Sequence, residues 1–212
     1  MLTRSRTSLA ARTAFAVLLA ASLFLAGCKD SPSTGASGSA AKSASAPVSI
    51  AAIAAEATGF TVGSPMSART VYVFFDAQCP HCSELWRNAK PLKSQTKFIW
   101  IPVGILNAAS TSQGATLLAS KDPVALMDEH EASILAKRGG ISSASDVDVQ
   151  KEAVAKNTQL LNRFGFTSIP TIVGTHAETG ALVTNEGAMS TVALASLLGL
   201  QAPAAPTPAP LR

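Results

Sequence analysis

The sequence carries little charge of either sign, and it has no cluster of basic side chains. Charged residues make up 14% of the 212-residue chain, with 17 Lys and Arg against 13 Asp and Glu. Three basic residues, Arg4, Arg6 and Arg12, lie in the first 27 positions, where there is no acid, so the remainder is close to neutral. A surface that binds nucleic acid needs a concentrated basic patch. The composition therefore argues against that class of protein.

Long hydrophobic runs are also missing. The longest apolar segment, residues 14–26, spans 13 residues, which is short for a membrane-spanning helix and typical of a signal-peptide core. It follows a basic start, so residues 1–27 are predicted to be an export signal. The segment ends in Leu25-Ala26-Gly27-Cys28, which resembles the lipobox of bacterial lipoproteins. That resemblance implies cleavage before Cys28 and its lipidation, and the alternative is an ordinary signal peptide with a stray cysteine.

The flanking segments lack the apolar periodicity that a folded core requires. Residues 28–47 consist mainly of Ser, Ala, Gly and Pro after the cysteine, and they are predicted to be a flexible tether. Residues 201–212 contain four prolines and are predicted to be a disordered tail. The length allows one ordinary domain, which we place at 48–200. Because Lys29 follows the cysteine where enteric sorting uses Asp for inner-membrane retention, we expect a periplasmic protein anchored to the outer membrane.

Within residues 48–200 the hydrophobic pattern alternates between strand and helix. Val71–Phe75 is a continuous β-branched and aromatic run, typical of a strand buried on both faces. The spacing of Cys82, Leu85, Trp86 and Ala89 predicts a helix that begins near Cys79. The other predicted elements are a strand at 98–103, helices at about 108–120, 122–138 and 148–164, a hairpin of 172–173 with 181–184, and a helix at about 190–199. This order indicates an α/β domain around a small mixed sheet.

Cysteine is scarce, and the predicted domain contains only Cys79 and Cys82. Residues three apart in a helix have Cα atoms about 5–5.5 Å apart, within the range of a disulfide. Cys79 lies at the predicted helix start, where free N–H groups and the helix dipole stabilise a thiolate, whereas Cys82 points into the core. We therefore expect an exposed nucleophile and a shielded resolving thiol. Pro80 suits the first helical turn, and His81 adds a second donor or a positive charge.

Other interpretations of these residues carry less weight. A structural disulfide across so short a loop would remove little chain entropy from the unfolded state. A metal site would need two further ligands, and His81, His130 and His176 show no ligand spacing, so no metal is expected. His130 is predicted to lie on a solvated helix face and His176 to be exposed. The two tryptophans, Trp86 and Trp100, are predicted to be core residues.

A strand followed by Cys79-Pro80-His81-Cys82 opening a helix, with Thr167-Ser168-Ile169-Pro170-Thr171 before a hairpin, resembles the thioredoxin fold. The resemblance implies that Pro170 is a cis-proline facing the disulfide. A closer resemblance is to the DsbG/DsbC group of periplasmic disulfide isomerases and reductases. The residues that carry it are Val71-Tyr72-Val73-Phe74-Phe75-Asp76, Trp86, Pro91 and Leu117-Leu118-Ala119-Ser120-Lys121-Asp122-Pro123, the last in a helical insertion between the catalytic helix and the cis-proline.

Several positions depart from the family pattern. The Pro80-His81 pair is that of the oxidising DsbA family, and Ile169 replaces the threonine usual in the isomerases. Thioredoxin has a buried acid six residues before its first cysteine, where this chain has Val73. Family dimers form through a separate N-terminal domain, for which residues 28–68 leave no room, so we expect a monomer.

The resemblance implies a thiol:disulfide oxidoreductase in which Cys79 attacks, Cys82 resolves, and the substrate chain pairs beside Ile169 and Pro170. Substrates would be exported proteins with disulfides or oxidised cysteines, and a DsbD-like or DsbB-like membrane partner would reset the pair. No organic cofactor is expected. The alternatives are a DsbA-like dithiol oxidase and a non-catalytic binding module of the same fold with a static disulfide between Cys79 and Cys82.

The lipobox resemblance predicts the outcome of a single substitution. In Cys28→Ser the acceptor of the lipid is gone, so the protein should appear in the soluble periplasmic fraction or remain as uncleaved precursor. Cell fractionation and metabolic labelling with a radioactive fatty acid measure this. A Cys28→Ser protein that is still labelled and still in the membrane fraction would contradict the assignment.

Overall fold

Five strands and six α-helices make up the part of the chain that the structure describes, residues 45–204 of a computed structural model. The strands are β1 (Phe60–Gly63), β2 (Thr70–Asp76), β3 (Lys97–Val103), β4 (Thr171–Thr175) and β5 (Leu182–Glu186). The helices are α1 (Ile50–Glu56), α2 (Pro80–Ala89), α3 (Ala108–Ala119), α4 (Pro123–Leu135), α5 (Asp148–Arg163) and α6 (Thr191–Leu198). The predicted signal peptide, Cys28, the tether as far as residue 44 and the tail from residue 205 lie outside the described residues.

The sheet has the strand order β1-β3-β2-β4-β5. Strand β2 is parallel to β3 and antiparallel to β4, so Val73 lies between Trp100 on one side and Ile172 on the other. Every residue of β2 from Val71 to Asp76 is buried, which confirms that the apolar run forms a strand covered on both faces. The parallel β2–β3 pair requires a crossover, and α2 provides it.

Two hydrophobic clusters cover the two faces of the sheet. Side chains along a strand alternate between faces, so Val73 and Phe75 pack with α2 and α6, whereas Tyr72 and Phe74 pack with α1 and α5. Trp86 of α2 meets Trp100 of β3 edge to face, with ring centroids 4.8 Å apart. Both tryptophans are buried, which confirms their predicted place in the core.

The predicted helical insertion between α2 and the loop before β4 is present as α3, α4 and α5. Helix α2 ends at Ala89 and a 3-10 turn follows over Lys90–Leu92, because Pro91 cannot continue an α-helix. Helix α5 ends at Arg163, and Gly165, which has a φ of +77°, turns the chain out of the helix. Helix α4 stops three residues earlier than predicted, because Lys137 adopts a φ of +58° and turns the chain away.

The segment before β2 forms the short helix α1 and the edge strand β1. Asn157 of α5 holds this segment in place. Its Oδ1 accepts from the backbone N–H of Thr58 at 2.9 Å, and its Nδ2 lies 2.8 Å from the Thr58 carbonyl oxygen and 2.9 Å from that of Pro102. One buried amide thus joins α5, the α1–β1 connection and β3.

None of the helices within residues 45–204 combines the length and the apolar character that crossing a lipid bilayer requires.

Asn157→Ala should lower the free energy of unfolding by about 2–3 kcal/mol, because it leaves the buried carbonyl group of Pro102 and the partly buried backbone groups of Thr58 without these partners. Asn162→Ala, at an exposed position of the same helix, is the matched control and removes the effect of helix propensity from the comparison. Chemical denaturation followed by circular dichroism measures both. Equal stabilities for the two variants would show that the Asn157 contacts contribute nothing.

Candidate active site

The turn between β2 and α2 is built on the buried carboxylate of Asp76. Its Oδ1 accepts from the N–H of Gln78 at 2.8 Å, and its Oδ2 accepts from the N–H groups of Ile105 and Leu106 at 2.8 and 3.1 Å. The carbonyl oxygen of Asp76 accepts from the N–H of Cys79 at 3.0 Å. Asp76 therefore fixes both the turn that leads into α2 and the loop that follows β3.

Cys79 is the N-cap residue of α2, and its sulfur accepts from the N–H of Cys82 at 3.3 Å. Pro80 follows in the first turn, where proline fits because that position has no intrahelical partner for an N–H group. Cys82 is fully buried on the stripe with Leu85 and Trp86, as predicted. The expectation that Cys79 is exposed is wrong: only 5% of the residue is accessible, because the loop before β4 covers it.

The two thiols differ in acidity for separate reasons. A hydrogen bond from the Cys82 side chain is the main cause that lowers the pKa of Cys79 to about 7, although burial opposes it. Backbone N–H groups of Cys82 and His81 stabilise the thiolate further. Burial raises the pKa of Cys82 well above its usual range, and the neighbouring Cys79 raises it again. The site therefore pairs one acidic sulfur with one that retains its proton.

Ile169 and Pro170 lie against the cysteine pair, although they are 90 positions away in the sequence. The Ile169–Pro170 peptide bond is cis, and the Cys79 sulfur lies 3.9 Å from the Ile169 carbonyl oxygen. Glu186 of β5 holds this loop, because its Oε2 accepts from the N–H groups of Thr167 and Ser168 at 2.8 and 2.7 Å. No local pattern in the sequence points to Glu186, since only the hairpin brings it to the loop.

His81 is the solvent-facing member of the motif. Its side chain is 75% exposed, and its Nδ1 lies 3.7 Å from Glu84 one turn along α2. Its charge favours the Cys79 thiolate, but it is the weakest of the influences that lower the Cys79 pKa. The position of His81 therefore suits it to contact a partner more than to set the acidity of Cys79.

The prediction for His130 is wrong, because this residue is fully buried. Its Nε2 donates to the carbonyl oxygen of Ala77 at 2.6 Å, and its Nδ1 accepts from the N–H of Ile141 at 3.1 Å, which fixes a neutral imidazole. Burial lowers its pKa. His176 is also less exposed than predicted, because its half-buried ring packs against Gly199.

Glu131 is a second buried residue of α4 that the sequence analysis missed. Burial raises its pKa to about 8, although a hydrogen bond with Ser83 lowers it. The signal was present, because Met127, His130, Glu131 and Ile134 follow the i, i+3, i+4, i+7 spacing of an inward helix face. The charge cluster around His130 concealed that spacing.

Within residues 45–204 no three His, Cys, Asp or Glu side chains are grouped so that they could hold a metal ion.

Solved structures similar to this domain show which fold it has. The catalytic domain of ScsC from Proteus mirabilis superposes with a TM-score of 0.55 at 16% identity, over 70% of this chain and 96% of that one. A periplasmic thioredoxin-like protein from Salmonella enterica serovar Typhimurium gives 0.56 at 17%, over 73% and 97%. The domain therefore has the thioredoxin-like fold with a helical insertion, as predicted.

Curated sequences then show which proteins the chain resembles. The chain is 35% identical over 137 residues to the thiol:disulfide interchange protein DsbG of Pseudomonas aeruginosa, covering 62% of this chain and 51% of that protein. It is 31% identical over 108 residues to DsbG of Escherichia coli K12, covering 48% and 42%. No protein-family model matches the chain. The chain spans about half the length of these relatives or less, and the resemblance to the DsbG group is confirmed.

The acidity of Cys79 gives a direct test of this geometry. The reaction of Cys79 with iodoacetamide should rise with pH through a midpoint near 7 in Cys82→Ser, whose hydroxyl still donates to the sulfur. In Cys82→Ala that donor is gone, and a hydrogen bond to a charged group contributes about 1.5–3 kcal/mol. The midpoint should therefore rise by about one to two pH units. Identical midpoints in the two variants would contradict the role of the Cys82 side chain.

Proposed function

We propose that this protein is a periplasmic thiol:disulfide oxidoreductase of the DsbG type, with Cys79 and Cys82 as its redox pair. The observation that carries the proposal is the unequal pair at the start of α2, one sulfur with a pKa of about 7 and one whose pKa is well above its usual range. A structural cysteine pair needs no such difference. The DsbG relatives, named as thiol:disulfide interchange proteins, support the same assignment.

In the first step the Cys79 thiolate attacks one sulfur of a substrate disulfide. A bond forms between Cys79 and that sulfur, the substrate S–S bond breaks, and the other substrate sulfur leaves as a thiolate. With a sulfenic acid as substrate the same mixed disulfide forms and the oxygen leaves as water after protonation. Because the Cys79 pKa is about 7, a large fraction of the attacking sulfur is already ionised at neutral pH.

In the second step Cys82 loses its proton and attacks the Cys79 sulfur. The Cys79–Cys82 disulfide forms, the mixed disulfide breaks, and the substrate sulfur leaves as a thiolate that takes up a proton. The enzyme pair is oxidised by two electrons and the substrate is reduced. A membrane partner that supplies two electrons, DsbD-like in type, must then restore the dithiol.

The loop of Ile169 and Pro170 is the proposed place for the substrate chain. The Ile169 carbonyl oxygen points at the Cys79 sulfur, so a peptide lying along this loop would bring its own sulfur to the nucleophile. Pro80 and His81 follow Cys79 in the first turn of α2, and the exposed His81 ring is available to the substrate. Main-chain pairing at such an edge would accept many sequences, which suits a protein that acts on varied exported substrates.

A dithiol oxidase of the DsbA type is the second candidate, and the lowered pKa of Cys79 is the observation that favours it. Stabilising a thiolate stabilises the reduced form, which makes the disulfide a stronger oxidant. The partner would then be DsbB-like and would remove electrons from the pair. Equilibration with glutathione buffers separates the two, because an oxidase has a reduction potential near the oxidising end of the family range and a reductase one well below it.

The remaining parts of the proposal concern the setting of the domain. Lipidation at Cys28 and an outer-membrane anchor would keep the enzyme at a membrane surface, with residues 28–47 as its tether. A monomer would lack the paired active sites of the family dimers, so simple reduction or oxidation should exceed isomerisation. The chemistry requires only the two sulfurs, and no cofactor is proposed.

Trapping experiments test the assignment of the two cysteines. Cys82→Ser keeps the attacking sulfur but lacks the resolving one, so mixed disulfides with exported proteins should accumulate as reductant-sensitive bands on a non-reducing gel. Cys79→Ser should trap nothing and should abolish turnover. If Cys79→Ser traps partners and Cys82→Ser does not, Cys82 is the attacking cysteine and Cys79 the resolving one. If neither variant traps a partner and the wild-type pair remains oxidised under physiological reductant, the binding-module alternative is correct.

A further inference from the structure

Glu131 is a buried carboxyl group with an unused acceptor. The residue is only 2% exposed, and its Oε2 has no hydrogen-bond partner among residues 45–204. Leaving a buried polar atom unpaired costs about 1–3 kcal/mol, and more when the group is charged. No cation is paired with this carboxyl, since the salt bridges of the described residues do not include Glu131. A purely structural site would favour an uncharged residue at this position.

The carboxyl group lies beside the redox pair. Helix α4 packs against α2, and Glu131 lies close enough to Ser83, the residue directly after Cys82, for the Ser83 hydroxyl to lower the pKa of the carboxyl group. The Ser83 hydroxyl itself lies 3.4 Å from the carbonyl oxygen of Cys79. A negative charge on Glu131 raises the pKa of the Cys82 thiol, and Cys79 raises the pKa of Glu131. Glu131 is therefore a buried acid that interacts electrostatically with both sulfurs.

Few other titratable groups face Glu131. Cys79 on α2 and Asp128 one turn back on α4 both act to raise its pKa. Asp128 is itself bonded to the Lys90 side chain and to the Trp86 indole N–H, so its own charge is compensated. The neighbouring His130 is held neutral by its burial and points to Ala77 instead.

We propose that Glu131 accepts the proton of Cys82 in the resolving step, an inference that rests on the proposed oxidoreductase function. The Glu131 carboxylate takes the proton from the Cys82 thiol, directly or through one bridging hydroxyl or water. The Cys82 thiolate then attacks Cys79, the bond to the substrate breaks, and the substrate sulfur leaves with the electron pair. Glu131 passes its proton to that leaving thiolate or to solvent. Atoms, charge and electrons balance without another reactant.

The charge of Cys79 gives this transfer its timing. In the dithiol form burial raises the pKa of Glu131, and the charge of the Cys79 thiolate raises it further, so Glu131 retains its proton. When Cys79 joins a substrate its charge disappears while the burial remains, so the pKa of Glu131 falls part of the way and more of the carboxylate is present at the stage that needs a base. Val73 occupies the strand position where thioredoxin has its acid, and it is a buried apolar residue. The insertion helix therefore supplies a buried acid near the pair, whereas the sheet has none at that strand position.

The decisive variant is Glu131→Gln, because glutamine has nearly the same side-chain shape as glutamate but cannot accept the Cys82 proton. Its matched control is Glu129→Gln, an exposed position of the same helix. A mixed disulfide with a small thiol is formed on each protein, and the release of that thiol is followed by rapid mixing across pH 5–9. General bases contribute about 10²–10⁴-fold. We expect resolution at neutral pH to be at least tenfold slower in Glu131→Gln and unchanged in the control.

The pH profile separates proton transfer from a structural effect. Wild-type resolution should show an inflection from the ionisation of Glu131, whereas Glu131→Gln should lose that inflection and recover rate as hydroxide takes the proton. Equal rates for Glu131→Gln and wild type, or a wild-type profile without that inflection, would overturn the inference. The wild-type pH profile needs no variant, so it tests the inference even if Glu131→Gln folds poorly.

An infrared measurement tests the same inference without turnover. The difference spectrum between chemically reduced and oxidised wild-type protein at pH 7 should contain a carboxylic-acid C=O band that is stronger in the dithiol form and absent from Glu131→Gln. A spectrum without a redox-dependent band would overturn the inference. Failure of the proposed function is distinguishable, because it appears as a wild-type protein that forms no mixed disulfide at all.

Discussion

The site depends on one buried carboxylate, that of Asp76, which accepts three backbone N–H groups from two separate loops. A strand buried on both faces cannot simply end in the core, because the backbone groups that follow it need partners. Asp76 supplies partners for the turn before Cys79 and for the loop after β3. The position of Cys79 and the start of the helical insertion are therefore fixed by a single side chain.

The insertion in turn closes over the turn that precedes Cys79. His130 of α4 holds the carbonyl oxygen of Ala77, and the Gln113 side chain of α3 contacts that of Gln78 while its Nε2 donates to the carbonyl oxygens of Gly139 and Ile141. These bonds are buried or partly buried, so each one constrains the loop more than a solvated contact would. The helices between α2 and β4 are thus part of the site.

Most helices and strands, and the place of Cys79 and Cys82 at the start of a helix, could be predicted from the sequence, whereas several residues that surround the two cysteines could not. The apolar run of β2 and the spacing after Cys79 have few alternative explanations, so they specified a strand, a helix and the burial of Cys82. His130 and Glu131 were misjudged or missed because a local cluster of charges is usually solvated, and only packing reveals which members turn inward. Glu186 depends on the hairpin that places it beside Ser168, which no local pattern encodes.

The low accessibility of both sulfurs affects how readily the two cysteines are oxidised irreversibly. A thiolate in an oxidising compartment is open to peroxide, which carries cysteine through sulfenic acid to the sulfinic and sulfonic acids that exchange chemistry does not reverse. Cys82 is fully buried, and Cys79 is covered on one side by Ile169. Because little of either sulfur is exposed, a small oxidant in solution meets each one less often than it would meet an exposed thiol. The same covering that restricts access to the pair thus slows its irreversible oxidation.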